Sequence, residues 1–260
     1  MIYKKNKLMI DGFDVGFLAR KFNTPIYCYS LKKIKDNILN LKNNFKKINP
    51  LICYAVKANT NLGILKEIKN CNLGADVVSV GELMKALRAG IKPQKIVFSG
   101  VGKTSAEIEY AVSKNILLIN AESKSEILEI EKIAKIKKKV VNVGIRLNPN
   151  TDAQTLSQIS TGRKENKFGV DQKIFLQLVG YLKKSKHLNL KCLSVHIGSQ
   201  ILNHKPYQDM LKVIEKIIKK SNHKFEYIDL GGGMGIDYEH NNSKLNLKKY
   251  SKNIKKFLKT

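Results

Sequence analysis

Several polar residues that can do chemistry stand at the ends of short apolar runs in this sequence. They are Lys57, Asp76, Arg146, His196 and Ser199, together with the glycines Gly231, Gly232 and Gly233. The neutral amine of a lysine attacks aldehydes to form a Schiff base. Glycines directly after an apolar strand free backbone N–H groups to approach an anion such as a phosphate. The set therefore predicts a site for a cofactor that carries both an aldehyde and a phosphate.

Taken alone, each of these residues also has a purely structural interpretation. Lys57 is one of many lysines, and His196 fits a buried histidine with satisfied hydrogen bonds. Asp76 fits the N-cap of a helix that starts near Gly81, and Arg146 fits the partner of a carboxylate. The glycines do not fit a dinucleotide fingerprint, because that motif opens the first βα unit whereas these follow the last apolar run.

Seven apolar, β-rich runs recur along the chain and predict seven strands. They cover residues 51–56, 75–79, 95–100, 116–121, 140–147, 190–197 and 225–233. Amphipathic helical patterns lie between them at 62–70, 81–89, 105–113, 123–135, 171–184 and 207–220, with further patterns at 31–47 and 244–258. The runs are apolar throughout, which is typical of parallel strands buried on both faces. The alternation predicts an α/β protein built from right-handed βα units.

Seven βα units in series are compatible with an open doubly wound sheet or with a (β/α)8 TIM-type barrel. The pattern favours the barrel, with about seven of its eight strands present in this chain. Barrels build their active sites at the carboxyl ends of their strands, where all the residues of the predicted site stand. The same fold commonly places a phosphate near its seventh and eighth units, where the three glycines lie. The longest interruption of the pattern, at 148–170, has the length of a functional loop.

The composition indicates a globular protein and argues against a nucleic-acid partner. Of the 260 residues, 43% are hydrophobic, which is enough for one large core or two modest ones. The formal net charge is +27, but only four of the 48 basic residues are arginine, and the lysines are scattered over almost every helix. Nucleic-acid interfaces are usually clustered, with arginine and stacking aromatic residues, so we predict none here.

The cysteines and the distribution of apolar residues indicate a cytoplasmic protein. Cys28, Cys53, Cys71 and Cys192 form no CxxC pair and no metal-ligand spacing, so we expect reduced thiols and no metal site. No segment approaches the roughly 18 apolar residues that a membrane helix needs. The N-terminal "MIYKKNKLMIDG" lacks the apolar stretch of a signal peptide. We therefore predict a soluble protein without a membrane partner.

Five motifs of the sequence resemble those of a known enzyme family. They are "YAVKAN", "GADVVSVGEL", "RLNPNTDAQTLSQISTGRKENKFG", "HIGSQI" and "DLGGGMGIDY". Their order and spacing, from about residue 10 to about residue 240, resemble those of the fold-type III pyridoxal-phosphate decarboxylases, whose barrel is like that of alanine racemase. "HIGSQ", "ISTG" with "ENKFG", and "GGG" are more similar to the diaminopimelate decarboxylase branch than to the ornithine and arginine decarboxylases.

The resemblance implies pyridoxal 5'-phosphate as the cofactor and a role for each residue of the predicted site. Lys57 would hold the cofactor covalently, and His196 would stack on its pyridine ring. The phosphate would be held by Ser199, Gly231, Gly232 and Gly233, while Asp76 and Arg146 would order the cofactor's hydroxyl side and the lysine. The implied reaction is decarboxylation of meso-2,6-diaminopimelate to L-lysine and carbon dioxide. The loop at 148–170 would lie over the mouth of the barrel and help to exclude water.

The resemblance also implies that the chain is a fragment of a larger enzyme. Residues 1–30 would belong to a second, β-rich domain, with "TPIYCYS" as the crossing, and residues 31–260 to an incomplete pyridoxal-phosphate-binding barrel. The family's "EPGR" strand, whose glutamate partners the pyridine nitrogen, would follow Thr260. A C-terminal β domain that completes the neighbouring site in a homodimer would come after it. Leu156 is a departure, because most relatives carry a histidine there.

Two hypotheses of different kinds remain open from the sequence. The first is a fragment of a diaminopimelate decarboxylase that takes a small amino-acid substrate. The second is a non-catalytic relative that retains the pyridoxal-phosphate residues without turnover. An ornithine- or arginine-type decarboxylase of the same fold is a further alternative, because the residues that read the distal end of the substrate would lie mostly outside this chain.

Overall fold

The computed structural model describes residues 2–153, 161–162, 168–238 and 244–259. By their internal contacts the residues divide into two units, 1–49 and 50–260. The assignment of residues 1–30 and 31–260 to two domains of a larger enzyme stays a prediction.

The first unit combines a small antiparallel sheet with two helices. The strands β1 (Ile2–Lys4), β2 (Lys7–Ile10) and β3 (Phe13–Asp14) pair in that order and are followed by α1 (Val15–Phe22) and α2 (Leu31–Phe45). Asp11 ties the start of α2 to the sheet, since its carboxylate accepts the Ser30 hydroxyl at 2.5 Å and the Lys32 N–H at 3.1 Å.

The second unit is a sheet of seven parallel strands whose intervening segments form helices. The strands are β4 (Cys53–Ala55), β5 (Gly74–Val77), β6 (Ile96–Phe98), β7 (Leu118–Ala121), β8 (Val141–Arg146), β9 (Leu188–Ser194) and β10 (Tyr227–Asp229). The helices are α3 (Leu62–Asn70), α4 (Val80–Arg88), α5 (Ser105–Ser113), α6 (Lys124–Ile136), α7 (Gln172–Leu182), α8 (His204–Ser221) and α9 (Leu247–Phe257). All seven predicted strands and the predicted helices are therefore confirmed, with bounds that differ by a few residues.

The order of the strands distinguishes the two architectures that the sequence left open. Each strand pairs with the next one along the chain, from β4 at one edge to β10 at the other. A doubly wound sheet reverses its strand order at a switch point, whereas a barrel winds in one direction throughout. The order therefore confirms the predicted barrel, here as a curled sheet of seven strands.

Burial on both faces explains why these strands are apolar along their length. Every residue of β6 and of β7 is buried, so the sheet has no solvent-facing side at its centre. Helix α8, between β9 and β10 in the chain, buries a stripe at helical spacing that includes Tyr207, Met210, Ile214 and Ile217. Among the described residues, no helix is both long enough and apolar enough to cross a membrane.

Polar caps determine where the helices begin. In α3 to α9 the residue before the first turn accepts a hydrogen bond from a backbone N–H of that turn. These caps are Asn61, Ser79, Thr104, Ser123, Asp171, Asn203 and Asn246. Because Ser79 caps α4, the interpretation of Asp76 as a helix cap is wrong.

We predict opposite effects for the same substitution at two glycines of this unit. A Cβ on Gly74, in β5, would lie 2.3 Å from the carbonyl oxygen of Lys95, so Gly74→Ala should cost about 1–3 kcal/mol of unfolding free energy. Gly180 lies within α7, and a Cβ there would meet no described atom within 4 Å. Gly180→Ala should stabilise the chain by about 0.5–1 kcal/mol. Urea unfolding of both variants measures the difference, and equal effects would contradict this account of the packing.

Candidate active site

The candidate residues lie at one end of the parallel sheet. Lys57 follows β4 in a short 3-10 turn, Val56–Ala58, and is exposed, while Asp76 lies in β5. Arg146 is the last residue of β8, and His196 follows β9 by two residues. The first of the three glycines, Gly231, follows β10 by two residues. Because the strands are parallel and adjacent, their carboxyl ends and these residues share one edge.

The glycine turn after β10 packs tightly against the residues that follow β9. Gly231 and Gly233 have φ angles of +64° and +80°, which end the strand earlier than the predicted residue 233. A Cβ on Gly231 would lie 2.7 Å from His196 Nδ1, and one on Gly233 would lie 1.9 Å from the carbonyl oxygen of Gly198. Glycine is therefore required at both positions. At Gly232, in contrast, a Cβ would meet no described atom within 4 Å, so the middle of the turn faces open space.

Hydrogen bonds from three sides hold this turn. The N–H of Gly231 donates to Asp229 Oδ1 at 2.8 Å, and the N–H of Gly232 donates to His196 Nδ1 at 3.3 Å. From the side of α8, the fully buried Tyr207 donates its hydroxyl to the carbonyl of Gly232 at 3.0 Å. In a trans peptide the carbonyl and the next N–H point in opposite directions, so Tyr207 directs the Gly233 N–H away from α8.

Asp76 is a half-buried carboxyl group with an elevated pKa. Burial is the main cause, and the charge of Asp229 adds to it, so that the pKa rises from its ordinary 3.8 to about 6. The hydroxyl of Ser99 donates to Asp76 Oδ1 at 2.6 Å and opposes the rise, as do the charges of Lys57 and Arg146. Asp76 therefore changes its charge near pH 6.

His196 is kept neutral by its surroundings. Burial is the main cause and the positive charges of Arg146 and Lys57 add to it, so that the pKa of His196 falls from 6.5 to about 4. The same two charges act on both Asp76 and His196, which means that the structure brings these four predicted residues within electrostatic reach of one another. A neutral imidazole can accept the Gly232 N–H and leave its ring face available for stacking.

The carboxylate that pairs with Arg146 is Glu122, which sequence reasoning did not identify. Glu122 Oε1 accepts from Arg146 Nη1 at 2.8 Å and from the N–H of Gly100 at 3.2 Å, while Oε2 accepts from the N–H of Gly169 at 2.9 Å. Both members of the pair are buried. Glu122 thus joins the ends of β6, β7 and β8 and the segment that leads into α7. The alternative that Arg146 pairs with a carboxylate is confirmed.

A second buried ion pair, between Lys103 and Glu126, lies next to Glu122. The side chain of Lys103 is completely buried, and its Nζ donates to Glu126 Oε1 at 2.6 Å and to the carbonyls of Gly100 and Asn120. Glu126 Oε2 accepts the backbone N–H of Glu122 at 2.9 Å. The two carboxylates are therefore neighbours, and each is paired with its own cation, which satisfies the requirement that buried charges be paired.

Within the predicted loop at 148–170, Thr161 contacts the backbone around His196. Thr161 donates its hydroxyl to the carbonyl of His196 at 2.8 Å, and its N–H donates to the carbonyl of Ile197 at 3.1 Å. The structure does not describe residues 154–160, which include Leu156, or residues 163–167. The prediction that this loop covers the site therefore concerns residues outside the described part of the chain. Thr161 itself fixes the backbone position from which the imidazole projects.

The residues present fit pyridoxal phosphate. The exposed Lys57 amine offers a point of covalent attachment, and the neutral ring of His196 offers a face for stacking. The turn around Gly232 combines open space with the N–H of Gly233, which Tyr207 directs away from α8, and this suits a phosphate. Ser199 is exposed just beyond His196. The individual roles given to Lys57, Asp76, Arg146, His196, Ser199 and the three glycines stay predictions.

Five polar residues of this edge escaped the analysis of the sequence. They are Ser99, Asn120, Glu122, Ser194 and Asp229. In the structure each lies within one residue of the end of its strand, but the predicted strands 190–197 and 225–233 extended past Ser194 and Asp229. Asp229 lies only two residues before Gly231, so it was the member of this group next to a residue already predicted for the site.

Comparisons with known proteins identify relatives over most of the chain. A family model described as "Pyridoxal-dependent decarboxylase, pyridoxal binding domain" matches residues 31–260. A curated diaminopimelate decarboxylase of Helicobacter pylori strain J99 is 45% identical over 245 residues, which is 93% of this chain and 60% of the relative. The Campylobacter jejuni diaminopimelate decarboxylase is 42% identical over 93% of this chain. The chain thus spans about 60% of the length of the curated relatives that it matches.

Solved structures show the same similarity. The crystal structure of diaminopimelate decarboxylase from Helicobacter pylori complexed with L-lysine matches with a TM-score of 0.91 and 43% identity, over 95% of this chain and 63% of that one. The Paramecium bursaria Chlorella virus arginine decarboxylase matches with a TM-score of 0.78 but only 23% identity, so it supports the fold alone.

We predict that Glu122→Gln destabilises the chain by about 3 kcal/mol, because it leaves the buried guanidinium of Arg146 without a charged partner. Glu109 is the matched control, since it pairs with Lys137 at an exposed position. Glu109→Gln should cost less than about 1 kcal/mol. Urea unfolding measures both losses, and a small effect at Glu122 would contradict the importance of the buried pair.

We predict a pH-dependent effect for Asp76→Asn. Because the pKa of Asp76 is raised to about 6, the folded chain binds a proton more tightly than the unfolded chain between about pH 4 and pH 6. The contribution of Asp76 to stability therefore falls as the pH rises through this window. The variant has no carboxyl group at this position, so its stability does not decrease in this way. By about pH 7 its free energy of unfolding should exceed that of the unaltered chain by about 1–2 kcal/mol.

Urea unfolding across this pH range is the measurement for Asp76. Asp209→Asn is the control, because exposed lysines lower the pKa of Asp209 and its effect should be constant from about pH 4.5 upward. If the difference in unfolding free energy between Asp76→Asn and the unaltered chain does not vary with pH, the prediction of a raised pKa for Asp76 is wrong.

Proposed function

Because the chain belongs to the family of pyridoxal-dependent decarboxylases, we propose that it forms the pyridoxal-binding part of a diaminopimelate decarboxylase. The reaction would convert meso-2,6-diaminopimelate to L-lysine and carbon dioxide, as one step of lysine biosynthesis. The observation that carries the proposal is the gathering of Lys57, Asp76 and His196 with the glycine turn at one edge of the sheet. The L-lysine bound to the Helicobacter pylori relative supports the product.

The residues of this edge would hold the two ends of the cofactor. Lys57 would bond to the aldehyde carbon of pyridoxal phosphate, and His196 would stack on its ring. The N–H of Gly233 and the Ser199 hydroxyl would donate to the phosphate, and Gly231 and Gly232 would shape the turn that receives it. When bound, pyridoxal phosphate supplies an electron sink for the carbon that loses its carboxylate.

The charges around Lys57 suit this task. Asp76 and Arg146 bear opposite charges near neutral pH, so they can orient polar groups on one side of the ring without adding net charge. Glu122 keeps the guanidinium in place, and Thr161 and the Gly232 N–H keep His196 in place. The protein thereby supplies a fixed framework, which is its usual share of work in a cofactor enzyme.

We further propose that the whole protein is a cytoplasmic homodimer without a nucleic-acid partner. The proposal is supported by the family resemblance, by free thiols at the four cysteines and by the dispersed lysines. Light scattering of the full-length protein tests the dimer.

We predict that borohydride reduction in the presence of pyridoxal phosphate labels Lys57 selectively. Peptide mapping of the reduced chain identifies the modified lysine. Lys57→Ala should abolish this label, whereas Lys66→Ala, which removes an exposed lysine from α3, should leave it unchanged. A label distributed over many surface lysines would contradict a specific site.

We predict that turnover, if the chain carries it, favours meso-2,6-diaminopimelate over L-ornithine and L-arginine by at least about 100-fold in kcat/KM. Release of L-lysine, measured by chromatography, is the readout. Lys57→Ala is the negative control. Specific labelling of Lys57 without L-lysine release would favour the non-catalytic relative instead.

A further inference from the structure

Asn120 lies on β7 at the centre of a polar network inside the sheet. Only 1% of its surface is exposed. Its Nδ2 donates to Asp229 Oδ2 at 2.9 Å and lies 3.4 Å from both Ser99 Oγ and Ser194 Oγ. Nothing in the proposed chemistry uses this side chain directly, so its burial needs a separate explanation.

The neighbouring donors determine which way the carboxamide faces. Ser99 donates its hydroxyl proton to Asp76 at 2.6 Å, and Ser194 donates its own to Asp229 at 3.0 Å. Each hydroxyl has one proton, so toward Asn120 both oxygens can only accept. The carboxylate of Asp229 also only accepts. The amide nitrogen, rather than the amide oxygen, must therefore face all three groups.

The amide oxygen is directed at β8, where a glycine makes room for it. Asn120 Oδ1 is buried and has no hydrogen-bond partner among the described residues. A Cβ on Gly144 would lie only 2.1 Å from this oxygen. A buried acceptor without a partner costs about 1–3 kcal/mol. The amide oxygen of Asn120 therefore lowers the stability of the fold, while the amide nitrogen faces three acceptors.

Those acceptors belong to two groups of residues in the candidate site, which we call its two arms. In the first arm, Ser99 holds Asp76, which pairs in register with Ala55, two residues before Lys57. In the second arm, Asp229 holds the N–H of Gly231 and so shapes the glycine turn. We propose that Asn120 is a positioning residue that fixes the spacing between these two arms.

The spacing matters because of what the two arms would hold, and this role rests on the proposed function. Pyridoxal phosphate carries its aldehyde and its phosphate on one rigid ring, so the lysine side and the glycine side must lie a fixed distance apart. The two arms also carry like charges, since Asp229 repels Asp76, and Lys57 and Arg146 are the positive groups that face Asp76. A shared N–H donor between the arms limits that repulsion.

Asn120→Asp is the main test, because it keeps the shape of the side chain and replaces the donor with an acceptor. The probes are pyridoxal phosphate, pyridoxal and inorganic phosphate, each titrated against the purified chain. Pyridoxal phosphate should bind about tenfold more weakly to the variant. Pyridoxal and inorganic phosphate each engage one arm only, so their affinities should change by less than about twofold.

Asn142→Asp is the matched control. Asn142 also lies on a central strand, β8, and donates to the carbonyl of Leu117 at 3.2 Å, away from the candidate site. All three affinities should stay the same in this variant. Urea unfolding of both variants separates lost stability from lost binding.

The pH dependence gives a second readout that a merely structural role would not change. At low pH the carboxyl group introduced by Asn120→Asp is protonated and can again donate one hydrogen bond. The loss of affinity for pyridoxal phosphate should therefore shrink to less than about twofold near pH 5 and grow toward pH 8.

Three results would overturn the positioning role. They are equal weakening of all three probes, a loss of affinity that does not vary with pH, and unchanged binding of pyridoxal phosphate. If Asn120→Asp does not fold, Ser99→Ala cuts the same connection without adding a charge, and it too should weaken pyridoxal phosphate selectively. Absence of binding to the unaltered chain would overturn the proposed function and the positioning role together, whereas unchanged binding in the variants would overturn the positioning role alone.

Discussion

The compensation of buried charge is the constraint on which this edge of the protein depends. A parallel sheet wound in one direction brings the carboxyl ends of all its strands together, and in this chain several of those ends bear ionisable side chains. An isolated charge in such a place would cost several kcal/mol. Arg146 is therefore paired with Glu122, and Lys103 with Glu126. The pairs also join strands, because each carboxylate accepts backbone N–H groups from a neighbouring segment.

The same constraint explains how a carboxylate can lie beneath a turn that suits an anion. Asp229 would repel a phosphate, but it accepts hydrogen bonds from Gly231, Ser194 and Asn120, which disperse its charge. Its bond to Gly231 helps to hold that residue at a positive φ angle and so gives the turn its shape. Tyr207 holds the opposite side of the turn. The position of the glycines thus results from contacts with three other elements.

The fold sets the protonation states of His196 and Asp76 in the candidate site. His196 is neutral near pH 7 because burial and two neighbouring cations disfavour its protonated form. Asp76 titrates near pH 6 because burial and Asp229 oppose its ionisation, while Ser99 and the same two cations favour it. Neither property belongs to the residue type. Both follow from the neighbours that the fold assembles around it.

The sequence by itself determined the seven strands, the helices between them and the strand ends that bear Lys57, Asp76, Arg146, His196 and the glycines. Those features depend on apolar periodicity and on turn residues, which act between neighbours along the chain. Only the tertiary structure decided that Glu122 pairs with Arg146, that Ser79 rather than Asp76 caps α4, and that Asn120 reaches Asp229. The last two residues are 109 positions apart, and their contact depends on the curl of a sheet in which they lie three strands from each other. A local sequence pattern cannot predict such a contact, because the geometry of the folded sheet determines which groups lie next to a buried polar side chain.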